Sequence, residues 1–410
     1  MIALKRNQRK ILLVHHDLLP MSGATAVIAW IIQALKDDFA LTMLTSRPID
    51  LGALNRFHGT SISDSDLEIV CPNRLVRTVL SLDRDYNSIQ PVAYLMRVCR
   101  KIRGNYDLVI GSGTEEMDLG GSGILYVHFP HLARFWGRYR DCGDLPLRSR
   151  LVGLLRGETR PWMILAGYSI ERMKQATILV NSDWTGEAVR SSYKVATTTL
   201  YPPVTASARH REWEERENGF LCVGNFTPPK RMDTAIAILR RVREHQPDLK
   251  LHLVGSRSAH PDHLQYGRDL RDLIRVNRDW VRLHEDLPRD RLLELMGQMR
   301  YGIHLNRDEH FGIAPAELMA SGCIVFVHKS GGQVEIVGRN PRLCYLTDEE
   351  AANKIASALK SPAMQASILN SLAPRRTMFS ASEFMRGLRG VVERMTASSN
   401  ACLSTGATVL

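Results

Sequence analysis

The seven cysteines (71, 99, 142, 222, 323, 344 and 402) form no CxxC pair and no metal-ligand spacing, and their number is odd. A disulfide framework and a structural zinc module are thereby excluded, and reduced thiols in a cytoplasmic setting are the expectation. Long apolar runs are lacking too. After the basic start MIALKRNQRK, only ILLV stands before His15 and His16, too short for a signal-peptide core or a membrane span. No GxGxxG follows that first apolar run, so a dinucleotide cofactor is not expected. No histidine and carboxylate cluster supplies an evident metal site. Neither an aromatic-and-basic RNA motif nor a zinc finger is present, so nucleic acid is not an expected partner.

What is present is a chain of 410 residues, 44% hydrophobic and 24% charged, with a net charge of +11. That length exceeds one hydrophobic core and suits two domains. The basic balance points to anionic partners such as phosphorylated sugars or anionic lipid headgroups. Ile11 to Val14 reads as a strand buried on both faces. A helix from about Ala24 to Lys36 follows, with Val27, Ile28, Ile31, Ile32 and Leu35 at core spacing. Further strand-like runs at 40–45, 107–110, 124–128 and 177–181 alternate with segments long enough for helices, which means a parallel sheet. Residues 54–90 are polar and poorly periodic and carry no assignment. A charged, irregular stretch at 205–217 reads as a linker. A second strand–helix series then opens with FLCVGN.

The most informative stretch is 301–322, YGIHLNRDEHFGIAPAELMASG, an apolar strand, an acidic loop with one glycine, and a helix entered through Pro315. Gly312 lets the backbone approach a ligand closely just before that helix. The positive helix end is a natural seat for phosphate. Glu309 on the loop and Glu317, expected in the first helical turn, can flank one ligand.

HFGIAPAELMASG preceded by Glu309, with SGGQVEIV at 330–337, resembles the donor-site signature of the retaining glycosyltransferases of family 4. The wording EHFGI is similar in particular to the mannosyltransferases that extend lipid-linked oligosaccharides from GDP-mannose. The resemblance implies that Glu309 touches the transferred sugar and Glu317 the nucleotide ribose. It also implies that the segment from His310 through Phe311, Gly312 and Ile313 holds phosphate and sugar through its amides, and that the SGG loop adds amides to the sugar. Where the family has a glycine, an arginine, then proline and a basic residue, Gly224, Pro229 and Lys230 match. Asn225 takes the arginine position, and Arg231 is expected to supply part of the lost charge. His128, ending the strand in YVHFPH, resembles the family's histidine near the transferred sugar and is assigned to positioning. Of the glycine pair usual in the first loop, Gly23 alone matches clearly.

The fold implied is α/β, of the GT-B type: two Rossmann-like domains with a cleft between them. The expected layout is an acceptor domain over 1–204, the linker 205–217, and a nucleotide-sugar domain over 218–375. A helix over 376–396 is expected to return to the first domain, and 397–410 to be a disordered tail. The implied activity is retaining, metal-independent transfer of a hexose, most simply mannose from GDP-mannose, to a glycan or lipid-linked saccharide. The nucleotide sugar is a cosubstrate, and no cofactor is expected. Two alternatives are another donor such as UDP-glucose and a noncatalytic GT-B subunit, the latter motivated by Asn225 and the glycine-poor first loop.

Residues 134–174 hold nine Lys or Arg against four Asp or Glu, a net of +5. Phe135, Trp136, Tyr139 and Trp162 are interleaved, and Leu147, Leu151, Leu154 and Leu155 fall on one helical face opposite Arg148, Arg150 and Arg156. The pattern suits an interfacial helix pair as well as a core-packed excursion. Each basic residue near an anionic surface adds about 1 kcal/mol of attraction, enough together to recruit the chain peripherally to a cytoplasmic membrane face. Replacing Arg148, Arg150 and Arg156 by glutamate is expected to abolish cosedimentation with anionic liposomes. Equal partitioning of both proteins on anionic and neutral vesicles assigns the strip to ordinary core and surface.

Overall fold

The structure, a computed structural model, describes residues 8–19, 21–80, 89–113, 117–135, 159–205, 211–257 and 261–405. Two compact units divide the chain. Met1–Pro203 with Ala381–Leu410 makes the first, and Val204–Ser380 the second.

In the first unit, β1 (Lys10–Val14), β2 (Ala40–Leu44), β3 (Leu67–Val70), β4 (Leu108–Gly113), β5 (Ile124–Val127), β6 (Thr177–Val180) and β7 (Thr198–Thr199) form one sheet. Its order is β3-β2-β1-β4-β5-β6-β7, and every pairing is parallel. The unbroken apolar run of β1 has a direct cause: Ile11 and Leu13 enter the core on one face, while Leu12 and Val14 enter the core on the other. Two-sided burial of this kind is what right-handed crossover helices impose on a parallel sheet.

One face is covered by the helix Gly23–Leu35 and by the long C-terminal helix Ala381–Thr405, which pack on each other. Phe384, Leu388, Val391 and Val392 of that last helix are buried among Val27, Ile31 and Leu35. The other face takes Ile89–Ile102 and Thr159–Ala166.

In the second unit, β8 (Glu217–Val223), β9 (Lys250–Gly255), β10 (Val281–Glu285), β11 (Met299–His304), β12 (Ile324–His328) and β13 (Cys344–Tyr345) form a second sheet, in the order β10-β9-β8-β11-β12-β13. It too is parallel throughout. Both sheets therefore reverse direction of growth once, between β1 and β4 and between β8 and β11. That reversal is the doubly wound Rossmann pattern.

Several expectations are corrected here. The stretch 54–90 contains the end of a helix, Leu51–His58, then β3 and the helix Arg74–Leu80. Its polar character reflects an edge strand and half-exposed helices. The C-terminal helix runs through Thr405, into the stretch for which composition suggested a disordered tail. The first strand of the second unit begins at Glu217, inside the expected linker. Of the strip with interfacial character, 136–158 lies outside the described residues. Its described end packs inward: Trp162, Met163, Tyr168 and Ile170 lie in or against the core of the first unit. Among the described residues no helix is long and apolar enough to cross a membrane.

The C-terminal helix should act as a core element of the first unit. Leu388→Ala is expected to cost about 2–5 kcal/mol, and Arg386→Ala, on the exposed side of the same helix, less than about 0.5 kcal/mol. Urea denaturation of the two variants checks the difference.

Candidate active site

In an open parallel sheet, ligands bind outside the carboxyl ends of the strands where the order reverses. In the second unit that place lies between β8 and β11. The loop after β8 carries Lys230 and the loop after β11 carries Glu309, and Lys230 Nζ stands 2.9 Å from Glu309 Oε2. Two further donors reach the same oxygen: Asn306 Nδ2 at 2.6 Å and His304 Nε2 at 3.2 Å.

Burial alone would raise the Glu309 carboxyl. The Lys230 ammonium and the His304 hydrogen bond outweigh it and hold the group well below the usual carboxylate range. His304 is buried, and burial, helped by the nearby Lys230 charge, lowers its imidazole below the ordinary value against the pull of Glu309. A neutral ring that donates from Nε2 to an ionised carboxylate satisfies both groups.

The loops are locked around this carboxylate. Gly332 N–H donates to the Glu309 carbonyl at 2.7 Å, and Gln333 Nε2 donates to the Asn306 carbonyl at 2.7 Å. Ser330 Oγ accepts from the Asp308 amide at 2.8 Å, and Tyr345 Oη donates to the His304 carbonyl at 2.9 Å. Gly331 has φ +73°, and a Cβ there would stand 2.3 Å from the Glu309 carbonyl oxygen. Only glycine lets the two loops approach this closely.

The helix Ile313–Ala320 follows, with Gly312 as N-cap at φ +100°. By helix geometry, its first amides have no partner within the helix. Phe311 is buried against Phe379, ring centroids 5.6 Å apart, so its side chain anchors the loop. Glu317 is the fifth helical residue and not in the first turn. It is buried, and the Arg289 guanidinium grips both its oxygens, Nη1 lying 3.0 Å from Oε2 and Nη2 bonding Oε1. Burial pushes the Glu317 carboxyl above its ordinary range, against the pull of Arg289.

Lys230 and Glu309 are thus brought together. Arg231 turns aside to Asp348, 3.3 Å away, from a left-handed backbone at φ 48°. Asn225 is exposed on the loop after β8. His310 is half-buried beside Glu309. The SGG loop spends the Gly332 amide on the Glu309 carbonyl, which corrects the expectation that this amide serves a ligand.

In the first unit, Gly23 opens the helix after β1. His128 follows β5 and lies 3.3 Å from Ser112 Oγ through Nε2. His15, beyond β1, bonds the Ser112 carbonyl through Nδ1 at 2.5 Å, and burial, then the neighbouring His16, pushes it down to about 3. These histidines mark the reversal point of the first sheet.

Sequence reasoning missed His304, Asn306 and Arg289. The available signal was a histidine ending an apolar strand, with an asparagine two residues beyond it just ahead of Glu309. It also passed over Asp64 and Asp66, whose DxD spacing would suit a metal-bound diphosphate. They precede β3, at the edge of the sheet away from the ligand-binding ends, and Asp66 is paired with Lys36 at 3.2 Å. Among the described residues no three His, Cys, Asp or Glu side chains gather as a metal site requires.

Because the Glu309 carboxyl is depressed, it stabilises the fold fully above its unfolded value of about 4.5. That contribution is lost as pH falls through the lower native value. Glu309→Gln is therefore expected to lower the urea midpoint at pH 7, the difference from wild type shrinking as the pH falls below 4.5. A constant difference across that range would contradict the assignment.

The family model for Glycosyl transferases group 1 matches residues 205–371, nearly the whole second unit. A GDP-Man:Man(3)GlcNAc(2)-PP-Dol alpha-1,2-mannosyltransferase of Dictyostelium discoideum is 27% identical over 59% of this chain and 53% of its own length. The protein of the same name from Homo sapiens is 29% identical over 53% of this chain and 48% of its own. The chain thus spans about half the length of the curated relatives it matches. Among solved structures, Anabaena Alr3699/HepE in complex with UDP and glucose superposes with a TM-score of 0.64 at 15% identity, covering 94% of this chain and 100% of that one. WaaG, a glycosyltransferase involved in lipopolysaccharide biosynthesis, gives 0.65 at 13%, covering 92% and 97%. The chain therefore has the GT-B fold, and its second unit is similar to the group 1 glycosyl transferases over residues 205–371.

Proposed function

We propose that this protein is a retaining, metal-independent glycosyltransferase that moves mannose from GDP-mannose to a glycan or lipid-linked saccharide. The observation that carries the reading is the Lys230–Glu309 pair at the switch point of a domain matching group 1 glycosyl transferases. The donor and acceptor classes follow the names of the Dictyostelium and human relatives, which give GDP-Man and Man(3)GlcNAc(2)-PP-Dol. The basic strip at 134–174 suits a peripheral position beside a lipid-linked acceptor on a cytoplasmic membrane face.

In this reading Lys230 stabilises the negative charge that grows on the departing diphosphate, with Arg231 and the amides of Phe311, Gly312 and Ile313 adding to the field. Glu309, ionised and hydrogen-bonded, accepts from a sugar hydroxyl and holds no proton to give. The departing phosphate takes the acceptor's proton as attack occurs on the same face. His128 then serves to position substrate, and Glu317, oriented by Arg289, receives the ribose.

A panel of nucleotide sugars offered to the purified protein, with and without EDTA, tests the proposal. GDP-mannose is expected to be the best donor, with transfer persisting in EDTA and the anomeric configuration kept. Lys230→Ala should lose about 3 kcal/mol of transition-state stabilisation without unfolding. A better UDP-glucose rate would reassign the donor, and full dependence on added magnesium would remove metal independence. Binding without transfer for every donor would make the chain a noncatalytic subunit.

A further inference from the structure

Three donors from three positions converge on one oxygen of Glu309. Lys230 comes from the loop after β8, His304 from the last residue of β11, and Asn306 from two residues beyond it; all three reach Oε2, at 2.9, 3.2 and 2.6 Å. No described residue donates to Oε1. The Glu309 side chain is 19% exposed, and its second oxygen keeps its acceptor capacity.

His304 is the least replaceable of the three. Its side chain is 4% exposed, its carbonyl is held by the Tyr345 hydroxyl, and its ring is fixed by the strand it ends. Lysine reaches Glu309 on a flexible stem, and it has a second task at the diphosphate. When Lys230 turns toward a phosphate, the clamp on Oε2 rests on His304 and Asn306.

Resting on the function proposed above, we propose that His304 is a positioning residue: with Asn306 it pins Oε2 of Glu309, so that Oε1 stays aimed outward to accept a hydrogen bond from a hydroxyl of the transferred sugar. Lys230 is thereby freed to leave Glu309 for the donor's diphosphate without the carboxylate following it. His304 contacts no substrate itself.

The test begins with wild-type transfer from nucleotide sugars and with Glu309→Gln. His304→Leu, which keeps side-chain volume and removes the N–H, is then compared with His304→Gln, whose amide reproduces a donor near the Nε2 position. For each variant kcat, the donor KM, the Kd for GDP and the thermal unfolding midpoint are measured. His304→Leu is expected to lower kcat on the order of 10- to 100-fold, as misplacement of a reacting-site group does, with the Kd for GDP within about twofold of wild type. His304→Gln should recover most of the loss. In the Glu309→Gln background the His304→Leu change should cost little more, because the two residues act through one contact.

The proposal is overturned if His304→Leu turns over like wild type. It is equally overturned if its loss adds in full to that of Glu309→Gln, or if GDP binding falls in step with kcat. Should His304→Leu not fold, His304→Gln and Asn306→Ala carry the same cycle against Glu309→Gln. Absence of transfer by the wild-type protein takes down the proposed function first, before any His304 variant is read.

Discussion

A carboxylate drawn partly out of water must be met by donors, and in this protein the donors for Glu309 come from both sides of the reversal in strand order. Lys230 follows β8 and Glu309 follows β11, strands that are neighbours in the sheet and about eighty positions apart in the chain. The reversal leaves a crevice between the loops that leave these strands. The ammonium and the carboxylate meet there, and the surrounding loops close on the pair through the Gly332 amide, the Gln333 side chain and the Ser330 hydroxyl. Without Gly331 in its left-handed conformation the second loop could not approach the first.

Three buried or half-buried carboxylates are held by their donors in different ways. Asp118 in the first unit accepts from Gly120 N–H and Arg172 Nε on Oδ1, and from the Ser169 amide and the Arg172 guanidinium on Oδ2. Glu317 has both oxygens in the grip of Arg289. Glu309 differs from these two in crowding all its donors onto one oxygen. Fully satisfied carboxylates hold loops and helices together, since losing a partner would strand a buried charge. One with an unengaged oxygen in a crevice keeps acceptor capacity for a ligand. Glu317, with each oxygen already bonded once by Arg289, keeps only its remaining lone pairs for any further donor.

The first unit repeats the architecture with different chemistry. At its reversal point, among the described residues, stand His15, Ser112 and His128. His15, buried and pushed down to about 3, stays neutral at physiological pH and ties β1 to β4 through the Ser112 carbonyl. The two sheets share one winding rule, so their reversal points are predictable in place.

Much of this was legible in the sequence because parallel strands buried on both faces leave continuous apolar runs, as in Ile11–Val14 and Cys323–Val327, and because a glycine-and-proline helix entry is local. Glu309 and Gly312 could be singled out for that reason, and Lys230 through the resemblance of Gly224, Pro229 and Lys230 to a family pattern. The expected first-turn place of Glu317 was off by less than a turn, since the helix begins at Ile313 and not at the proline. The stretch ASSNACLST at 397–405 is made mostly of small and polar residues with no apolar period, so the C-terminal helix was cut short. The three-donor clamp could not be read at all. Lys230 and Glu309 are adjacent only because β8 and β11 pair across the reversal, and His304 is buried at the end of β11, where Tyr345 from β13 bonds its carbonyl. The amino-acid sequence by itself determined the alternation of strand and helix and the chemical type of the site. Which donors reach which oxygen was decided by tertiary structure, because hydrogen bonds of about 3 Å depend on strand pairing that no local pattern encodes.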